Sequence, residues 1–187
     1  NPLLGLTRLG LTLVREKIRR ATRKVLKRDT WSIGLVDQRI EDAVEDEIGT
    51  DCVQWARSDP ADIYRADPCG VRKDAETVIF YERYRQADDQ GDIYFSRNLF
   101  DGGQVDEAQV LPEDNHQSYP FVFRQDGNHY MVLEEAEESS LTLYRAENFP
   151  GSWTPVRTLL QGFPALDPTI FHHDQKWWLT ASSREDS

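Results

Sequence analysis

The chain has 187 residues, of which 39% are hydrophobic and 11% aromatic, and this content suffices for one fair-sized core or two small ones. The formal net charge of −11 is unevenly distributed: residues 1–28 contain nine Lys or Arg side chains and one acid, so the remainder carries −19. Such an acidic body repels phosphate backbones, which argues against a nucleic acid partner. Cys52 and Cys69 form neither a disulfide framework nor a metal-binding pattern, and they predict free thiols in a reducing, cytoplasmic compartment.

Residues 1–30 predict a basic amphipathic α-helix. Apolar side chains recur at helical spacing between Leu6 and Val25, and the last turns are rich in the cations that the helix dipole favours. Such a helix either links to an adjoining domain of the same polypeptide or lies on a membrane surface; we favour the linker, because an acidic body follows it. No stretch reaches the length of a membrane span. Since the chain begins with Asn, we expect its native start to lie upstream.

From Trp31 onward the helical periodicity disappears. The sequence WSIGLV at residues 31–36 is strand-like, and residues 38–62 are acidic and irregular, with a short helix expected around residues 40–48. We therefore place the start of a second, strand-rich domain at residue 31.

One sequence pattern occurs three times after this point. Residues 66–82, 118–134 and 166–182 align without a gap, at offsets of 52 and 48 residues. Each copy has a proline near its start (positions 68, 120 and 168), then an aspartate in a predicted turn (positions 74, 126 and 174), then an apolar run. A repeat near 50 residues that consists mostly of strands is typical of a β-propeller, in which each repeat forms one blade.

Residues 31–187 therefore predict an all-β fold with about three blades. In the second repeat we expect strands at PFVF, HYMVLE, SLTLYRA and TPVRTLLQ, with a tight turn at Gly127. Propellers close with four to eight blades, so we expect this partial propeller to belong to a longer polypeptide or to be completed by another one. The alternative is a sandwich whose hairpins are alike by coincidence.

The residues before the aligned prolines are the main candidates for a functional site: Asp67, Tyr119 and Asp167. Innermost strands line the central channel of a propeller, so these side chains are expected to face one cavity. Aromatic faces stack on sugar rings and paired carboxylates supply base and acid functions, which together predict a carbohydrate pocket. Asp before Pro is also a common turn initiator, so a structural role stays open.

Three more side chains are candidates for substrate binding: Glu82, Glu134 and His116. The two glutamates end the second strands of their repeats at equivalent places, where they either reach the channel mouth or cap the blade in solvent. His116 precedes the second innermost strand and either donates to a sugar hydroxyl or packs as a structural histidine. The histidines at 172 and 173 lack a third ligand at a standard spacing, and the sequence predicts no metal site and no cofactor.

An ordered set of motifs resembles a known family. WSIGLV, ADPCG, SYPFVF, LYRAENFPGSW and LDPTIFHHDQKWWL resemble the propeller module at the N-terminus of glucosamine inositolphosphorylceramide transferases and of bacterial proteins in which a formyltransferase domain precedes it. The resemblance covers roughly residues 31–182, with Cys69 where the family usually has Phe and Leu133 where it usually has Pro. More distantly, the module is similar to the five-bladed propeller glycosidases of the arabinanase, levansucrase and invertase group, which implies five blades.

The glycosidase resemblance implies roles for the aligned positions. Asp67 would be the base, Asp167 would orient that base and tune the acid, and Tyr119 occupies the matching position of the second blade. The general acid, a glutamate of the fourth blade, would lie beyond Ser187. Our first hypothesis is a glycoside hydrolase-like propeller that binds a sugar or glycoconjugate in its channel, with Asp67 and Asp167 as catalytic residues.

The second hypothesis is a non-catalytic sugar-binding or scaffolding module of a glycosyl- or formyltransferase that acts on glycoconjugates. The basic helix would then be the hinge from an upstream catalytic domain. A bare interaction platform is a third alternative. A channel-facing glutamate in a later blade favours the first hypothesis, and its absence together with an upstream catalytic domain favours the second.

Overall fold

The computed structural model describes residues 30–45, 48–57, 59–60, 62–112, 115–135 and 138–183. The helix predicted over residues 1–30 lies outside the described residues, apart from Thr30. Within these ranges no helix is both long enough and apolar enough to cross a bilayer. All the described residues except Thr30 belong to the domain that begins at Trp31.

The domain opens with a short two-stranded ribbon. Strand β1 (Gly34–Val36) pairs antiparallel with β2 (Val53–Trp55), and helix α1 (Ile40–Glu45) and a 3₁₀ turn (Thr50–Cys52) lie between them in the chain. The strand expected within WSIGLV is therefore present, and α1 covers the first part of the helix expected around residues 40–48. β2 had no sequence prediction.

The rest of the domain consists of three antiparallel sheets that follow one another in the chain. Sheets 1 and 2 have four strands each and sheet 3 has two, and in each sheet consecutive strands are neighbours. Sheet 1 contains β3 (Ile63–Lys73), β4 (Glu76–Arg85), β5 (Gln90–Ser96) and β6 (Glu107–Gln109). Sheet 2 contains β7 (Gln117–Gln125), β8 (Asn128–Glu135), β9 (Ser140–Asn148) and β10 (Ser152–Gln161), and sheet 3 contains β11 (Ala165–His173) and β12 (Lys176–Ser183).

The hairpin between the first two strands of each sheet turns at an aspartate with positive φ. The φ angle is 57° at Asp74, 48° at Asp126 and 49° at Asp174. In sheet 2 the next residue is Gly127 at φ 82°, as the sequence predicted, whereas sheet 3 has Gln175 at φ 59°. Aspartate and glycine tolerate this left-handed region. Because two-residue turns fix strand register, the repeated turn residues place the three hairpins in equivalent registers.

Hydrophobic cores lie between successive sheets. Phe80 and Ile93 of sheet 1 are fully buried in a cluster with Met131 and Leu133 of sheet 2. Sheets 2 and 3 share a second cluster, and the ribbon shares a third with sheet 1 through Tyr81. The members of the second cluster are Val132, Leu141, Ala165 and Ile170, and those of the third are Ile33, Ala56, Tyr81 and Leu99.

The first strand of each sheet contacts the first strand of the next sheet. The backbone N–H of Val122 on β7 lies 3.3 Å from Cys69 Sγ on β3, and β11 also packs on β7. Both cysteines are free. The all-β fold and its repeated sheets are therefore confirmed, and the arrangement is propeller-like. A total of five blades stays a prediction.

Candidate functional site

A β-bulge interrupts the first strand of each sheet at the same place. The register of β3 against β4 shifts between Ala66 and Cys69, and equivalent shifts occur in the β7–β8 and β11–β12 pairs. The residues before the aligned prolines adopt left-handed φ angles: 50° at Asp67, 49° at Tyr119 and 49° at Asp167. Proline has no N–H to donate, and a bulge re-aims the side chain beside it. The three predicted positions are therefore equivalent in structure, and they lie within strands rather than in turns.

Carboxylates of the preceding sheet bind the backbone at two of these bulges. The N–H of Tyr119 in sheet 2 donates to the carboxyl of Asp67 in sheet 1. The N–H of Asp167 in sheet 3 lies 3.4 Å from Glu134 Oε2 in sheet 2. Each bulge removes its residue from the regular strand ladder, so these side chains complete the hydrogen bonding that the ladder does not supply.

The three aligned residues are brought together across the sheets. Asp67 contacts the Tyr119 backbone, and the negative charge of Asp167 is close enough to act on Asp67. The phenolic oxygen of the half-buried Tyr119 lies 3.1 Å from Thr169 Oγ1, two residues after Asp167. A tyrosine therefore spans sheets 2 and 3 beside a pair of aspartates.

Asp67 holds its charge less readily than an isolated aspartate. Partial removal from water raises the pKa of its carboxyl, and the negative charge of Asp167 raises this pKa further. The N–H of Tyr119 and a hydrogen bond with Glu82 act in the opposite direction and lower the pKa. The raising effects are the larger ones, so the pKa of Asp67 lies above the usual aspartate value.

Glu82 lies next to Asp67 and is almost fully buried. Its residue is 6% exposed, and its carboxyl forms a hydrogen bond with Asp67. Burial raises the pKa of Glu82 to about 8, and the charges of Asp67, Glu134 and Asp92 contribute in the same direction. β4 continues to Arg85, so Glu82 lies inside its strand and does not end it as the sequence suggested.

His116 is fixed against Glu82 by a glycine. The N–H of Gly91 donates to His116 Nδ1 at 3.0 Å, so the neutral ring carries its proton on Nε2, which lies 3.7 Å from Glu82 Oε1. A Cβ built on Gly91 would lie 2.2 Å from Glu82 Oε1 and 2.9 Å from His116 Cε1. Only glycine leaves room for both side chains at this point.

The structure therefore places the six predicted site residues in two neighbouring sets of contacts. One runs from His116 through Glu82 and Asp67 to Tyr119, and in the other Glu134 binds the backbone of Asp167, whose charge acts on Asp67. Whether these residues bind or transform a sugar stays a prediction.

Three residues of this region were missed by sequence reasoning: Gly91, Thr169 and Asp92. Asp92 is fully buried and pairs with Arg85. A glycine at the start of a strand gave a usable signal, because strand glycines often mark a close approach of other groups. The partners of Thr169 and Asp92 depend on how the sheets stack, and nothing local indicated them.

The described residues contain no group of three His, Cys, Asp or Glu side chains arranged to hold a metal ion. His173 Nε2 lies 3.3 Å from Asp174 Oδ2, with both side chains largely exposed. This pair belongs to a solvated turn.

Comparison with known proteins gives the family. The family model described as "Glucosamine inositolphosphorylceramide transferase 1, N-terminal" matches residues 46–187. The chain belongs to this family. One relative is glucosamine inositolphosphorylceramide transferase 1 of Arabidopsis thaliana, which is 34% identical to the chain over 132 residues, or 70% of the chain. The proteins of the same name from Oryza sativa subsp. indica and subsp. japonica are each 36% identical over 118 residues, or 63% of the chain.

This family member spans a small part of its curated relatives. The matched region is 17% of the Arabidopsis protein and 16% of each rice protein. Among solved structures, it is similar to CoXyl43, a GH43 beta-xylosidase/alpha-arabinofuranosidase from a compost microbial metagenome, crystallised with xylotriose in a calcium-free form. That match has 18% identity and a TM-score of 0.46, and it covers 63% of this chain and 42% of the other.

Proposed function

We propose that this domain binds the glycan of a glycoconjugate at the bulge face formed by Asp67, Tyr119 and Asp167, as a five-bladed propeller module of a transferase. The observation that carries the proposal is the repetition of the bulge. Three sheets hold the residue before proline at a φ of 49–50°, and this conformation is costly for tyrosine. Backbone strain that recurs at equivalent positions of the repeats indicates a functional role. Because these positions carry Asp, Tyr and Asp, we infer that the role is ligand binding.

The chemistry of the face matches a sugar. The ring of Tyr119 offers a stacking surface, and the carboxyl oxygens of Asp67 and Asp167 accept hydrogen bonds from hydroxyl or ammonium groups. An acidic face attracts an ammonium group and repels a phosphate. The relatives' name contains both glucosamine and inositolphosphorylceramide. Of these two groups, the amino sugar is the one that suits this face.

A glycoside hydrolase-like reaction is the second candidate, and one observation favours it. The pKa of Asp67 is raised, and so is that of Glu82 beside it; a carboxyl pKa that is shifted toward the working pH suits a general base, the role that Asp67 would have. In this version Asp67 and Asp167 are catalytic residues. Binding without turnover supports the module, and release of a sugar from a glycoconjugate supports the hydrolase.

Binding of methyl glucosaminide, measured by isothermal titration calorimetry on the whole chain, tests the proposal. Asp67→Asn is the test variant, because asparagine tolerates the positive φ while losing the charge. Loss of a hydrogen bond to a charged group is worth roughly 1.5–3 kcal/mol, so affinity should fall about 10- to 100-fold.

Asp126→Asn is the matched control. It makes the same change at another aspartate with positive φ, in the hairpin turn of sheet 2. This control should bind like the parent chain. The proposal fails if the parent chain binds no sugar, or if the two variants lose affinity equally. The parent chain incubated with a chromogenic glucosaminide then separates the two candidates, since only a hydrolase releases the chromophore.

A further inference from the structure

The buried carboxyl of Glu82 is surrounded by acids and has a defined place in the site. Oε1 faces His116 Nε2 at 3.7 Å and fills the space that a side chain at Gly91 would need. The carboxyl also forms a hydrogen bond with Asp67 on β3. The titratable and charged groups around Glu82 and these partners are Asp67 on β3, Tyr84 and Arg85 on β4, Asp92 on β5, His116 before β7, Glu134 on β8 and Asp167 on β11.

A hydrogen bond between two carboxyl groups requires a proton on one of them. An ionised carboxylate only accepts, whereas a protonated one has one O–H to donate. The contact between Asp67 and Glu82 therefore holds at least one proton. Asp67 accepts from the N–H of Tyr119, which stabilises its ionised form, whereas Glu82 is the more buried of the two. The proton therefore belongs on Glu82.

We propose that Glu82 is a positioning residue that stays protonated at neutral pH and donates its proton to Asp67. It thereby fixes the Asp67 carboxylate with its remaining lone pairs directed away from β4. The inference rests on the proposed function for its purpose, since a fixed carboxylate is what a sugar hydroxyl meets. Burial, which raises the pKa of Glu82 to about 8, agrees with this assignment.

A consequence for ligand binding follows from this arrangement. Above about pH 8 the Glu82 carboxyl ionises, the donated hydrogen bond is lost and Asp67 faces a second negative charge. Affinity for an uncharged sugar such as methyl N-acetylglucosaminide should therefore fall about tenfold between pH 7 and pH 9, the size expected for one lost hydrogen bond.

The direct test is a pH titration of ¹³C-labelled glutamate carboxyls by NMR, on the whole chain without ligand. The Glu82 resonance, assigned by its absence in Glu82→Gln, should titrate near pH 8 in the parent chain. Its midpoint should fall by about one pH unit or more in Asp67→Asn, since that change removes a like charge. A midpoint near the ordinary glutamate value in the parent chain overturns the inference, and so does a midpoint that Asp67→Asn leaves unchanged.

Two variants test whether the proton on Glu82 affects sugar binding. Glu82→Gln carries an amide that donates at every pH, so its sugar affinity should stay flat between pH 7 and pH 9. Glu147 is an exposed glutamate on β9, and the control variant Glu147→Gln should show the same fall in sugar affinity with pH as the parent chain. Equal declines in all three proteins contradict the positioning role.

Gly91→Ala offers a test that leaves every titrating group in place. Its new methyl group displaces the Glu82 carboxyl, so the midpoint near pH 8 should shift. Gly70→Ala on β3 is its control, because the nearest atom to a Cβ there is 3.5 Å away. An unshifted midpoint in Gly91→Ala counts against the proposed geometry. The NMR titration contains no sugar, so it decides the role of Glu82 even where sugar binding itself fails.

Discussion

At the scale of single residues, Tyr119 is the most strained member of the site. It adopts a φ of 49°, where an aspartate or asparagine is tolerated and a bulky side chain is rare. Such a conformation costs of order 1–3 kcal/mol and persists only where the surroundings hold it. Here the carboxyl of Asp67 accepts a hydrogen bond from the Tyr119 N–H, and the Tyr119 hydroxyl forms a hydrogen bond with the hydroxyl of Thr169. The strain is therefore compensated by the same contacts that assemble the site.

The strain predicts an inverted order of stability for two substitutions. Tyr119→Gly should be more stable than Tyr119→Ala by about 1 kcal/mol, because glycine has no Cβ to penalise a left-handed φ. Both variants lose the ring, so their difference isolates the backbone. Urea denaturation measures it. At Tyr130, inside β8 and without a positive φ, alanine should be the more stable. If the alanine variant were the more stable one at both positions, the backbone of Tyr119 would be unstrained.

At the scale of secondary-structure elements, β8 shows how the sheets stack. Its side chains alternate between two cores: Met131 and Leu133 face sheet 1, and Val132 faces sheet 3. All three are at most 1% exposed. A strand that is buried on both faces has a continuous apolar run instead of alternating polarity, which explains the sequence MVL. Glu134 follows this run, at the point where the buried part of β8 ends.

Substitutions at consecutive residues test this double burial. Met131→Ala and Val132→Ala should each destabilise the domain, with a loss of roughly 2–5 kcal/mol for Met131→Ala. Val156→Ala on β10, where the side chain is 44% exposed, should stay within about 0.5 kcal/mol of the parent. Chemical denaturation gives all three values. A neutral result at either β8 position would mean that one face of sheet 2 is open to solvent.

At the scale of the whole molecule, the carboxyl groups around Glu82 make the free energy of unfolding depend on pH. A carboxyl whose pKa is raised by folding binds its proton more tightly in the folded state than in the unfolded state. Its contribution to stability is complete below the unfolded pKa and is lost as the pH rises through the folded pKa. For Glu82 this window runs from about 4.5 to about 8.

The change Glu82→Gln should therefore alter the pH dependence of unfolding. Between pH 5 and pH 8 the parent chain should lose stability relative to Glu82→Gln, because only the parent must keep a proton on a buried carboxyl. Thermal or urea unfolding across this range, with Glu147→Gln as the control, measures the difference. A difference in stability that does not depend on pH would show that Glu82 is ionised throughout.

Much of this architecture was predictable because it is repeated. The spacing of Pro68, Pro120 and Pro168, with the turn aspartates, predicted the hairpins and the equivalence of the three site positions. The pairing of Asp67 with Glu82 was not predictable, because a bulge changes which side chains meet across β3 and β4. The helix expected in residues 1–30 lies outside the described residues and stays a prediction.

An experimental structure of the protein with a bound amino sugar would decide whether the bulge face is the binding site. We predict the sugar ring on the face of Tyr119, with polar groups of the sugar at hydrogen-bond distance, about 2.7–3.2 Å, from Asp67 and Asp167. A sugar bound instead in the apolar cavity of about 450 Å³ that Phe123, Tyr130 and Trp177 help to line would contradict this prediction, as would a structure in which the two aspartates lie far apart.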